Sequence, residues 1–77
     1  MKKSDIGIGK SYSNGRGRIR KVIDFGPQYK LYEAQESEDC LLYEIVNDGS
    51  KSNRLVGKRY PMTLASFALW AKTLVNE

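Results

Sequence analysis

Short apolar runs separated by turn signals occupy the first two thirds of the chain, which predicts a sheet of short strands. The segment 18–25 alternates imperfectly between apolar and polar residues and follows the Asn14-Gly15 pair, which favours a tight turn. A Gly26-Pro27 turn separates it from 28–34, a segment rich in strand-forming residues. The pattern therefore predicts a hairpin made of these two segments.

The middle of the chain contains its most apolar run, at 40–46. Its length and branched side chains predict a strand buried on much of both faces. Residues 47–53 have loop composition. The segments 54–56 and 59–62 are predicted to form one interrupted edge strand, because Pro61 lacks the amide hydrogen that a central strand needs.

The last part of the chain has a helical rather than an alternating pattern. Thr63 is suited to be an N-cap, and the apolar residues that follow recur at helical spacing: Leu64, Phe67, Ala68, Ala71, Leu74 and Val75. An amphipathic helix is therefore predicted over about 63–75, with Phe67 and Leu74 against the sheet.

Together these elements predict one small, mainly β (α+β) domain of four or five antiparallel strands and one C-terminal helix. At 77 residues the chain has room for a single domain with a modest core. We expect a flexible lead-in over 1–9, which is polar and contains glycine, and one β-barrel-like domain over 10–77.

Composition argues against an enzyme, a metal site and a bound cofactor. The chain has no histidine and a single cysteine, Cys40, so it lacks the commonest general base and the usual zinc ligands. No run of about 18 apolar residues is present, which predicts no membrane span and a cytoplasmic protein.

Charge is arranged in blocks. Residues 1–30 carry eight cations and two anions, residues 31–50 carry six anions and no cation, and residues 51–77 carry five cations and one anion. Such blocks produce fields that orient a charged partner.

The basic block supplies candidates for nucleic-acid binding. Arg16, Arg18 and Arg20 are two residues apart, so in a strand they would project from one side. Cation clusters bind phosphates, and an exposed tyrosine stacks on unpaired bases. The candidate residues are Lys10, Tyr12, Arg16, Arg18, Arg20, Lys21, Lys58 and Arg59. The alternative is a solvated strand face whose arginines pair with Glu33, Glu36 or Glu38 across the hairpin.

Binding or inhibition of a host protein is the other function that the sequence supports. Leu69 and Trp70 would supply an apolar contact, and Glu36 and Glu38 would dock on a basic surface. Leu69 is also a candidate for a homodimer contact. The alternatives are that Trp70 covers the core and that the two glutamates lie in a solvated hairpin tip.

Several short motifs share one order along the chain and together resemble a known layout. They are Gly9-Lys10-Ser11-Tyr12, Gly15-x-x-Arg18, Leu42-Tyr43 and Met62-Thr63-Leu64-x-x-Phe67-Ala68-x-Trp70-Ala71. This layout, over residues 9–75, resembles short uncharacterised proteins of bacteriophages and prophages, from which the chain departs in an acidic insert at 33–39. The resemblance implies an SH3-like small barrel with a C-terminal helix, a mobile-element origin and action in a bacterial host cell.

Overall fold

A computed structural model describes residues 1–26, 29 and 40–75 of the chain. In this part of the chain the fold is mainly β, with one antiparallel sheet and one helix. The elements are β1 (Ser11–Ser13), β2 (Arg18–Phe25), β3 (Cys40–Asp48), β4 (Arg59–Thr63), α1 (Leu64–Trp70) and β5 (Thr73–Val75). The prediction of a small, mainly β domain with four or five antiparallel strands is confirmed.

The five strands lie in the order β4-β3-β2-β1-β5, so β4 and β5 form the two edges of an open sheet. The first strand pairs with the last, and Ser11 lies opposite Val75. Pro61 lies in β4 and pairs with Leu42, so the predicted proline-bearing strand is an edge strand. A closed barrel would need β4 and β5 to pair with each other, which they do not do in this strand order.

The predicted hairpin partner of β2 lies outside the described residues, since it falls within 28–34. Among the described strands, β2 pairs with β1 and with β3. The pairing with β3 is irregular at two places, between Ile19 and Arg20 and between Val22 and Asp24. Each irregularity is a β-bulge, which bends the strand and increases its twist.

The helix begins as predicted and ends earlier. The Thr63 hydroxyl accepts a hydrogen bond from the amide of Ser66 at 3.2 Å, as expected of an N-cap. After Trp70 the backbone becomes extended, and Thr73–Val75 pairs with β1. The prediction that Leu74 packs against the sheet is wrong, because it lies on an edge strand and is 46% exposed. Among the described residues, no helix is long and apolar enough to cross a bilayer.

The core lies between the sheet and α1. Tyr12, Val22, Leu41 and Phe67 are fully buried there. The rings of Tyr12 and Phe67 meet edge to face, with centroids 5.6 Å apart. Phe67 therefore joins the helix to the sheet, as its place in the helical pattern predicts.

Residues 1–9, predicted as a flexible lead-in, pack against the rest of the domain. They contain a 3-10 turn at Lys3–Asp5 and bury Ile6 in the core. The amino group of Met1 donates to the carbonyl oxygens of Ala68 and Ala71 at 2.8 and 3.1 Å. A positive group at the end of α1 interacts favourably with the helix dipole.

Candidate nucleic-acid interface

Two arginines of β2 lie on one face of the sheet, at the end where the strand begins. Arg18 and Arg20 are two residues apart in the strand, so their side chains project from the same face. Both line a concavity of about 100 Å³, together with Ile45, Asn47, Asp48 and Leu55. A space of this size holds one small group, since sites for drug-sized ligands start at roughly 300 Å³.

The turn before β2 and the loop after β3 meet beside this concavity. A Cβ atom placed on Gly49 would lie 3.2 Å from Cγ of Arg18 and 3.7 Å from the carbonyl oxygen of Arg16. The loop at 49–58 also carries exposed cations. We call this end of the sheet the basic end and define it by Arg16, Arg18, Arg20, Lys51, Arg54 and Lys58.

The carboxylate in the concavity, that of Asp48, is engaged in building the loop. It accepts hydrogen bonds from the hydroxyl and amide of Ser50, at 2.6 and 2.8 Å, and from the amide of Leu55 at 3.1 Å. The Ser50 hydroxyl is the largest of several influences that hold the pKa of Asp48 below its ordinary value. Within the described residues, the single ion pair within 4.0 Å joins Arg59 and Glu44, so no carboxylate approaches Arg18 as closely.

The Arg20 guanidinium stacks on two aromatic rings. Its Cζ atom lies 4.6 Å from the ring centroid of Tyr43 and 4.2 Å from that of Trp70. The Nη1 atom of Arg20 donates to the sulfur of Met62 at 3.9 Å. Burial lowers the pKa of Arg20; the charge of Arg18 also lowers it, while Tyr43 acts in the opposite direction. A guanidinium nevertheless stays protonated at neutral pH, so Arg20 is a fixed cation on an aromatic surface.

The predicted cation set is divided between different surfaces. Lys21 alternates with Arg20 and therefore projects from the opposite face, where it is paired in register with Glu44. The Nε atom of Arg59 donates to Oε1 of the same glutamate at 3.0 Å. Lys10 immediately precedes β1, at the end of that strand away from the β1–β2 turn. These three cations do not belong to the basic end.

Tyr12 is not available to stack on a base, contrary to the sequence-based hypothesis. Its side chain is 0% exposed. The hydroxyl donates to the carbonyl oxygen of Asp5 at 2.7 Å and accepts from the amide of Gly7 at 2.8 Å. The ring belongs to the core, and the hydroxyl holds the amino-terminal segment against it.

The candidates for protein interaction are only partly described. Leu69 is 76% exposed on α1, whereas Trp70 is half-buried with its ring 5.5 Å from that of Phe67. Glu36 and Glu38 lie outside the described residues. Trp70 therefore covers the core, and Leu69 is the exposed apolar group of this pair.

The hypothesis that the arginines pair with Glu33, Glu36 or Glu38 also falls outside the described residues. The strand ends that flank the acidic segment lie far from the basic end. The amide of Gly26 donates to the carbonyl oxygen of Cys40 at the end of β2 opposite Arg18. At about 3.3 Å per residue, the eight residues of β2 place Phe25 roughly 23 Å from Arg18.

Sequence analysis did not assign a binding role to several residues at or near the basic end. Lys51 and Arg54 were placed within loop and edge-strand segments, and Tyr43, Tyr60 and Met62 within strands. The register places Tyr43 opposite Tyr60 and Leu41 opposite Met62. Alternation of Tyr60 and Met62 around Pro61 would have indicated that the two share a face, but not what that face contacts.

Comparisons of the chain with models of protein families, with curated proteins and with solved structures give no match in any of the three. Function is therefore inferred from the geometry and charge of the described residues.

Proposed function

We propose that this domain is a non-catalytic module that binds nucleic acid through its basic end. The supporting observation is that Arg18 and Arg20 line one concavity whose carboxylate, Asp48, is already bonded within the loop. Phosphate oxygens accept hydrogen bonds from the planar fork of a guanidinium, often two at a time. Release of counterions from the phosphates then contributes to affinity.

The hydrogen-bonding groups in the concavity favour an acceptor-rich ligand. The side-chain oxygen of Asn47 accepts from the amide of Gly49 at 2.9 Å, which leaves its NH₂ group as a donor. Among the described residues that line this space, Arg18, Arg20 and Asn47 therefore present donors. A phosphate or another oxyanion fits this arrangement.

The SH3-like resemblance is part of the same proposal. It is supported by the small antiparallel sheet and by the helix that covers one of its faces. On this proposal the domain is an SH3-like barrel of bacteriophage or prophage type and acts in the cytoplasm of a bacterial host.

An interaction with a host protein is the second candidate function. The 76% exposed side chain of Leu69 favours it, because an exposed apolar group on a helix is suited to a protein contact. A Leu69→Ser variant that loses binding to a partner would support this alternative.

The first prediction concerns salt and the charge of Arg18. Binding to a labelled oligonucleotide, measured by fluorescence anisotropy, should weaken as salt rises, with a log–log slope of about −3 if about four phosphates are contacted. The Arg18→Glu variant should bind at least tenfold more weakly and reduce the magnitude of the slope by about 1.

The Lys10→Glu variant is the matched control, because it makes the same charge change at an exposed site away from the basic end. It should retain most of the affinity. Equal losses in the two variants would show that net charge alone governs binding, and no binding at low salt would refute the proposal.

A further inference from the structure

We infer that the nucleic acid bound at the basic end is single-stranded and that its unpaired bases stack on Tyr60, the exposed ring of a platform formed by Arg20, Tyr43, Tyr60 and Trp70. This inference rests on the proposed function and adds the class of nucleic acid. It is carried by the arrangement of planar side chains next to the arginine-lined concavity.

The platform begins with a cross-strand pair of tyrosines. Tyr43 in β3 lies directly opposite Tyr60 in β4, and their ring centroids are 6.0 Å apart. Tyr43 is 9% exposed and packs on Phe67, whereas Tyr60 is 38% exposed at the edge of the sheet. The buried ring therefore supports the exposed one, which is accessible to a ligand.

Arg20 extends the planar surface from the tyrosines to the helix. Its guanidinium lies over the rings of both Tyr43 and Trp70. These contacts restrict a side chain that is otherwise flexible, so little further entropy is lost when its N–H groups bind a phosphate beside the stacked base.

The stacking surface and the phosphate-binding groups are contiguous. Arg20 belongs to the platform and also lines the concavity with Arg18 and Ile45. A strand whose phosphates contact the concavity would therefore present its neighbouring bases to the platform. Alternation of stacking surfaces and cations is how proteins bind single strands without base-edge recognition.

Strand selectivity follows from access to the base faces. In a duplex each base is stacked between its neighbours, so Tyr60 could contact only sugars, phosphates or groove edges. In a single strand a base face is free, and stacking on it adds affinity that a duplex cannot gain. A purely acidic polypeptide would match the cations but, without aromatic side chains, offers no planar ring to stack on Tyr60.

The test is a comparison of single-stranded and duplex DNA of equal length at equal salt. Trp70 is the only tryptophan, and its contact with Arg20 makes its fluorescence a direct readout. We expect the single strand to bind at least tenfold more tightly. Tyr60→Ala should weaken single-strand binding by roughly tenfold and leave duplex binding unchanged, whereas Tyr60→Phe should retain the affinity.

Thermal unfolding of both Tyr60 variants separates a loss of stacking from a loss of fold. Single-strand binding by a folded Tyr60→Ala variant at wild-type affinity, or equal affinity for duplex and single strand, would overturn the inference while leaving the Arg18-dependent binding intact. No nucleic-acid binding at low salt would overturn the proposed function as well. Polyglutamate binding as tightly as the oligonucleotide would show that the surface recognises an acidic polypeptide instead.

Discussion

At the scale of single residues, hydrogen-bond donors in the loop determine the role of Asp48 beside the basic end. Asp48 is close enough to Arg18 to share its concavity, yet its oxygens are held by Ser50 and Leu55. The carboxylate organises the loop, and within the described residues it forms no ion pair with Arg18 within 4.0 Å. Its charge still acts on Arg18, since that arginine contributes to lowering the pKa of Asp48. The site therefore keeps the hydrogen-bond donors of Arg18 while part of its positive charge is offset.

The pH dependence of stability should show this role of Asp48. Its pKa is lower in the folded protein than its ordinary value, so its charged form stabilises the fold. The contribution is complete above the unfolded pKa, near 4, and is lost as pH falls through the folded pKa. The difference in melting temperature between wild type and Asp48→Asn should be constant from about pH 7 to 5 and should shrink below about pH 4.

The Ser50→Ala variant provides the control for this experiment, because it removes the largest cause of the lowered pKa. In its background the same Asp48 substitution should produce a smaller difference. A difference that stays constant down to pH 2 would contradict a role for the carboxylate charge.

At the scale of elements, the close approach of the β1–β2 turn and the β3–β4 loop positions Arg18. Gly49 has φ of 81°, and a Cβ atom there would lie 3.2 Å from Cγ of Arg18, so the arginine side chain would have to shift by a few tenths of an ångström. The loop therefore lies directly against the Arg18 side chain. The concavity exists because these two connections are in contact at one end of the sheet.

Alanine substitutions at two glycines should separate backbone strain from this contact. Gly49→Ala and Gly15→Ala both force a side chain into positive φ, at 81° and 80°, and each should destabilise the fold by about 1 kcal/mol. A Cβ at Gly15 meets nothing within 4 Å, whereas one at Gly49 crowds Arg18. Only Gly49→Ala should also weaken oligonucleotide binding by severalfold.

Urea denaturation followed by Trp70 fluorescence measures the stability, and anisotropy measures the binding. Equal effects of the two substitutions on affinity would mean that the contact with Arg18 does not position the binding surface.

How far the sequence predicted each element depended on its length and its pattern. The long apolar run predicted β3, and alternation predicted β2, because both patterns persist over several residues. The predicted end of α1 was wrong because Ala71, Leu74 and Val75 continue the helical spacing, and a strand of three residues is too short to show alternation. Hydrogen bonds from β1 decide between these conformations, and local sequence does not contain them. The three-residue β1 was not predicted for the same reason.

Of the candidate site, the sequence predicted only which side chains share a face of the strand, because that follows from spacing of two residues. That spacing placed Arg18 and Arg20 on one face, and it places Lys21, the next residue after Arg20, on the opposite face, although Lys21 was kept in the candidate set. The burial of Tyr12 and the Tyr43–Tyr60 pair depend on contacts between distant segments. Such contacts are set by tertiary packing, which neither composition nor spacing specifies.

At the scale of the whole molecule, the sheet joins segments that are remote along the chain. Ser11 pairs with Val75, and β1 lies between β2 and β5. Proteins dominated by such long-range pairs fold in milliseconds to seconds, because the loss of chain entropy precedes the gain from pairing.

We therefore expect refolding from urea to take longer than a millisecond despite the small size of the domain. Stopped-flow measurement of Trp70 fluorescence would test this, and a microsecond phase that recovers the whole signal would contradict it.

While β5 is not yet in place, β1 has an unpaired edge with free amide and carbonyl groups. Before β5 pairs with β1, two partly folded chains could therefore associate through this edge. Refolding at low protein concentration reduces this association.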